Sequence, residues 1–189
     1  MAAVPRNFID AGLAAVAAFG LRKVAISDVA DRAGVSRATA YRTFGSKQHM
    51  LDTLVTHELG RFFDAAQREF HVEGTPEVRL AAALDFAVTW LRTHPVMQRI
   101  LREEPELLAG ALVERPDAPS YVRMTTDRLA AMLEADPVGG QLRASPAELA
   151  EIMVRLTISL VLAPRSVFVS TEAMAHVLLT GAGPVGRSY

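Results

Sequence analysis

"SDVADRAGVSRATAYRTFGSK" occupies residues 27–47, and its punctuation decides the fold. Two short helical stretches, about 27–33 and 37–44, flank Gly34 and Val35. Glycine reaches φ > 0 without steric cost, so Gly34 can end the first helix abruptly. Ser27, Ser36 and Ser46 stand at three helix starts, where a hydroxyl accepts an orphan backbone N–H. Gly45 stops the second helix. Ala30 and Ala40 are small enough to let the two helices approach, and Val29, Ala33, Val35 and Phe44 supply apolar contact. Two short helices joined by a tight glycine turn make a helix-turn-helix.

The same grammar extends outward. Phe8, Leu13, Val16 and Phe19 predict a helix that stops at Gly20. Residues 46–70 predict one long helix on the spacing of Met50, Leu51, Leu54, Val55, Leu59 and Phe62. Further helices are expected near 76–93, 95–104, 105–114, 117–135, 146–163 and 170–180, with Pro76, Pro95, Pro105, Pro119 and Pro146 at or near their starts. Residues 134–146 read as a loop. No stretch alternates with period 2, so the expected fold is all-α. A composition shift near residue 46 predicts a small N-terminal domain, 1–47, joined by a continuous helix to a larger one, 48–189.

Composition narrows the function. The chain has 189 residues and is 50% hydrophobic, enough to bury a core unaided. It has no cysteine, which excludes disulfides and thiolate chemistry. "MAAVPRNFID" (1–10) does not resemble a signal peptide, and "LTISLVLAP" (156–164) is shorter than the about 20 residues a span requires. A cytoplasmic protein without a membrane segment is expected. The formal charge of -1 conceals an asymmetry. Residues 1–50 carry seven basic and three acidic side chains, net +4, whereas 51–189 carry 13 and 18, net -5. A basic head on an acidic body points to a polyanionic partner for the head alone.

On the second short helix the outward residues are Arg37, Ala38, Thr39, Tyr41, Arg42 and Thr43. Arginine can bind guanine edges or phosphate, and a threonine methyl can contact thymine. Tyr41 would reach a phosphate. Ser46 and Lys47 open the next helix, whose free N–H groups and positive dipole end favour a phosphate, and Ser27 offers a second such place.

At this point a family resemblance becomes specific. "GLRKVAISDVADRAGVSRATAYRTFGSKQHMLDTLV" (20–55) resembles the N-terminal domain of the TetR family of bacterial transcriptional regulators. The likeness rests on Gly20, Ser27 to Ala30, Ala33-Gly34-Val35-Ser36, Tyr41 to Phe44, and Ser46-Lys47. It implies a homodimer whose last two long helices, near 146–163 and 170–180, form a four-helix interface. It also implies a small-molecule effector in the C-terminal domain that weakens binding to a palindromic operator in double-stranded DNA. Carried onto this chain, phosphate contacts fall on Ser27, Tyr41 and Lys47, and base-reading positions on Arg37, Ala38, Thr39 and Thr43, with Ser36 and Arg42 beside them. Ala38 stands where many members have glycine, and Thr43 where an aromatic residue or histidine is common, so the operator cannot be borrowed from relatives.

For an apolar effector the candidate wall is drawn from Phe62, Phe63, Phe86, Trp90, Met97, Met124, Met132 and Met153, with Phe62, Phe86, Trp90, Met97 and Met124 put first and ordinary core packing as the competing role. Arg99, Arg123 and Arg128 are candidate polar anchors. The apolar segment 149–164 must be buried on several sides, as a core helix or a dimer face. "GAGPVG" (181–186) matches a dinucleotide fingerprint by letter alone, with no strand before it and no helix after it. The histidines are scattered, and His57-Glu58 lacks a second ligand at Arg61, so no metal or cofactor is expected. "REEPEL" (102–107) reads as a solvated helix junction. No nucleophile motif is present, so an enzyme is not expected. The competing functional reading is a dimeric DNA-binding regulator whose body senses a protein partner or binds no ligand.

Overall fold

The computed structural model describes residues 4–70, 73–106, 121–136, 144–168 and 170–180. Among them are nine helices and no strand. These are α1 (Arg6–Lys23), α2 (Ile26–Ala33), α3 (Arg37–Phe44), α4 (Lys47–Phe70), α5 (Pro76–Thr93), α6 (Pro95–Glu103), α7 (Tyr121–Ala135), α8 (Pro146–Leu162) and α9 (Thr171–Thr180). No described helix is long and apolar enough to cross a membrane. The expected helix 105–114 lies largely outside the described residues, as do most of the loop 134–146 and all of "GAGPVG" (181–186).

The chain divides into two compact units that do not follow its linear order. One comprises residues 1–62 and 93–110, the other 63–92 and 111–189. The first unit holds α1, α2, α3, the N-terminal part of α4, and α6. Its core contains Phe8, Val16, Val29, Ala40, Phe44, Met50 and Leu54. Phe8 and Phe44 meet edge to face, with centroids 5.8 Å apart and planes at 73°. Such side chains each stabilise by about 1.5–3 kcal/mol when buried, so this cluster holds the short α2 and α3 in place. Helices of eight residues would be marginal alone.

The second unit holds α5, α7, α8, α9 and the C-terminal part of α4. Leu80, Ala81, Leu133, Leu149, Ala150, Met153 and Ala175 form its core. The alanines let the helices approach closely, and α7 packs along α8. Ser145 opens α8 as a reciprocal cap. Its hydroxyl accepts the Glu148 N–H at 3.3 Å, and the Glu148 carboxylate accepts the Ser145 N–H at 2.9 Å. Arg79 and Asp136 form a nearly buried ion pair at 2.7 Å.

Candidate nucleic-acid interface

The turn between α2 and α3 is built as its residues require. Gly34 takes φ 67°, ψ 31°, and the Val35 N–H donates back to the Ala30 carbonyl at 3.1 Å. Ser36 caps α3 by accepting the Thr39 N–H at 3.1 Å. Gly45 closes the helix with φ 68°, its N–H on the Tyr41 carbonyl at 2.7 Å. Ser46 accepts the His49 N–H at 3.1 Å and so caps α4.

α2 departs from expectation. It begins at Ile26, one residue early, with Ala25 at the cap position. Alanine has no side-chain oxygen to accept a first-turn N–H, and the Asp28 carboxylate makes only the return half of a cap, accepting the Ala25 N–H at 2.8 Å. Ser27 therefore lies inside the first turn, half-buried, and is not a cap.

With Ala40 and Phe44 buried, α3 turns Arg37, Ala38, Tyr41 and Arg42 to solvent, and Thr39 and Thr43 lie half-buried on its flank. Lys47 Nζ donates to the Arg22 carbonyl at 2.7 Å. An ammonium has three protons, so this bond steers the lysine without exhausting it.

The end of α1 is held from a distance. Gly20 adopts φ 79°, ψ 165°, a conformation essentially reserved for glycine, and breaks α1 there. The next two backbone N–H groups, of Leu21 and Arg22, donate to the Glu104 carboxylate at 2.7 and 3.1 Å. A Cβ on residue 20 would lie 2.8 Å from Glu104 Oε2. Glu104 is 8% exposed, so "REEPEL" is not a uniformly solvated junction. Its middle glutamate is buried because two orphan amides at the end of a broken helix supply it with donors. Arg99 adds a bond to the Ala18 carbonyl at 3.2 Å, and Arg22 pairs with Glu106 at 2.6 Å.

The arrangement is that of known regulators. Residues 8–54 match the family described as bacterial regulatory proteins, tetR family. The chain's N-terminal segment thus carries the domain that marks the TetR family. The HTH-type transcriptional regulator BetI of Rhizobium meliloti (strain 1021) is 34% identical over 79 residues, covering 42% of this chain and 39% of BetI. The match thus spans about two-fifths of the length of that curated relative. Among solved structures, the TetR-family repressor AlkX from Dietzia sp. strain DQ12-45-1b, implicated in biodegradation of n-alkanes, is 25% identical over 92% of this chain and 93% of its own, with a TM-score of 0.64. The R. erythropolis repressor QsdR covers 97% of both chains at 21% identity and a TM-score of 0.63, a likeness of fold.

The five candidate effector residues fall in both units. Phe62 and Met97 are half-buried in the first. In the second, Phe86 packs on Trp90 with centroids 5.5 Å apart, and Met124 is exposed. A small cavity in the second unit is lined by Leu80, Leu84, Leu149, Met153, Ala175 and Leu178, of which Met153 alone belongs to the wider candidate set. Of the candidate anchors, Arg99 belongs to the first unit, and Arg128 lies 4.8 Å above the Phe63 ring.

One pairing had no sequence signal. Glu58 on α4 accepts from Arg61 at 3.0 Å and lies 2.9 Å from Nε2 of His94, the residue that precedes α6. Burial pushes the Glu58 carboxyl up, but the bonds from His94 and Arg61, with their charge, outweigh it and hold the group below its ordinary range.

Proposed function

We propose that this chain is a homodimeric transcriptional regulator that grips a palindromic DNA operator with α3. It acts as a repressor released by a small apolar molecule. Residues 1–47 contact DNA, and residues 48–189 sense the effector and dimerise, in the cytoplasm. The observation that carries the DNA reading is α3 itself: a capped helix, anchored by Ala40 and Phe44, that turns Arg37, Ala38, Tyr41 and Arg42 outward from the +4 end of the chain. A two-fold dimer would set two such helices in major grooves about 34–36 Å apart.

Support for the dimer comes from α8 and α9, which leave Ile152, Leu162 and Leu178 exposed on two helices whose charged and ionisable residues are limited to Glu148, Glu151, Arg155, Glu172 and His176. An apolar effector is supported by the wall of the cavity beneath them, and by the alkane-degradation role attached to AlkX. That cavity holds only about 10 Å³, close to the room of one water. This smallness favours the second reading, a regulator whose body receives a protein partner or no ligand.

Gel shifts with DNA upstream of its own gene test the proposal. Arg37→Ala and Lys47→Ala should each weaken binding about tenfold or more, with a smaller salt dependence. Variants that bind as well as wild type would remove α3 and the start of α4 from the interface. A rise in melting temperature with a medium-chain alkane or fatty acid supports the effector; no shift across such a series supports the second reading.

A further inference from the structure

The two threonines of α3 have their hydroxyls engaged within the helix. Thr43 Oγ1 donates to the Thr39 carbonyl at 2.9 Å. Thr39 Oγ1 lies 2.8 Å from Ser36 Oγ, which also accepts the Thr39 backbone N–H at 3.1 Å. A threonine hydroxyl carries one proton. Thr43 has placed its own on the backbone and has none to donate to guanine O6 or N7, thymine O4 or a phosphate oxygen. The staggered rotamer that aims Oγ1 back at residue 39 directs the γ-methyl away from that carbonyl. Ala38, Thr39, Arg42 and Thr43 lie on the sides of α3 not occupied by buried Ala40 and Phe44. The exposed Ala38 contributes a further methyl there. Thr39 and Thr43, four residues apart, share the half-buried flank on one side of Arg42, and the Ala38 methyl lies on its other side.

We infer that Thr43, with Thr39 beside it, reads the operator through its γ-methyl against the C5-methyl of thymine, and donates no hydrogen bond to base or phosphate. The inference rests on the proposal that α3 enters the major groove, where the thymine methyl is displayed. It makes Thr43 a specificity-determining residue by shape. A residue with a longer side chain at this position would read the same groove through a different contact.

The experiment uses the full-length chain and the tightest duplex it selects from a randomised library. Two near-isosteric variants separate the atoms: Thr43→Val keeps the methyl and removes the hydroxyl, and Thr43→Ser does the reverse. Thr43→Val should bind within about twofold of wild type. Thr43→Ser should lose about fourfold per half-site, the factor carried by one buried methyl group. Replacing thymine by uracil at one position of the half-site should weaken wild type by the same factor and leave Thr43→Ser unchanged. The loss on uracil is read with wild type itself, so a folding defect in a variant cannot mimic it. Thr43→Val binding as poorly as Thr43→Ser overturns the inference, as does a half-site without a thymine whose methyl wild type feels and Thr43→Ser does not. Recovery of no duplex at all would instead overturn the DNA-binding proposal beneath it.

Discussion

Glu104→Ala is the most informative perturbation of the head. The carboxylate accepts the Leu21 and Arg22 amides at 2.7 and 3.1 Å, from 82–83 residues away along the chain. Hydrogen bonds to a charged group contribute about 1.5–3 kcal/mol each. Both amides are partly buried, so water recovers some of that, and removal should cost about 2–4 kcal/mol. For a chain of this size that lowers Tm by about 4–16 °C. Glu104→Gln keeps one acceptor, forfeits the charge, and should cost about 1–2 kcal/mol. The neighbouring Arg22–Glu106 pair is exposed at both ends, so Glu106→Ala should cost under about 1 kcal/mol despite its shorter distance. Gly20→Ala supplies the internal check. In wild type it meets two penalties, the φ of 79° and a Cβ placed 2.8 Å from Oε2. In a Glu104→Ala background only the backbone strain remains, about 1–3 kcal/mol. A double-mutant cycle by urea unfolding, followed by far-ultraviolet circular dichroism, should therefore show coupling of about 1 kcal/mol or more. If Glu104→Ala unfolds within about 0.5 kcal/mol of wild type, or Gly20→Ala costs the same in both backgrounds, the cradle does not hold the end of α1.

Three further outcomes follow from the same geometry. Arg79→Ala leaves Asp136 nearly buried without its guanidinium and should cost about 3 kcal/mol in urea unfolding, whereas a paired Arg79→Met, Asp136→Leu replacement should recover most of it. Ile152→Glu with Leu178→Glu should halve the mass seen by light scattering and abolish operator binding; an unchanged mass would remove the exposed faces of α8 and α9 from the dimer contact. Because the folded Glu58 carboxyl titrates below 4.5, its contribution is present above that pH and is lost as pH falls through the depressed value. The urea midpoint of wild type should therefore drop more steeply below pH 4.5 than that of Glu58→Gln.

The helix-turn-helix was legible because its grammar is local. Ser36 reaches the Thr39 N–H, Gly34 supplies φ 67°, and Ser46 reaches the His49 N–H, each within three residues of its partner or within its own backbone. Such contacts follow from residue type and spacing, and the helical periods around them indicate which side chains turn inward. Even here a local rival intervened at α2: the helix begins ahead of Ser27, where the Asp28 carboxylate at the third helical position reaches back to the Ala25 amide.

The tertiary structure decided what distance hides. Glu104 and Glu103 are indistinguishable as letters, yet one is buried on the Leu21 and Arg22 amides and the other is exposed beside Arg99. Glu58 and His94 meet across 36 residues, and Lys47 bends its ammonium to the Arg22 carbonyl. Phe86 and Trp90, placed one helical turn apart, pack on each other, while the cavity in the same unit is lined by four leucines, a methionine and an alanine. The sequence determined the described helices, their ends apart from the start of α2, and the turn of Arg37, Ala38, Tyr41 and Arg42 to solvent, because those depend on neighbours within one turn. Which charges are buried, and which apolar side chains fill a core or border a cavity, depended on how distant helices pack, and only the assembled fold could decide it.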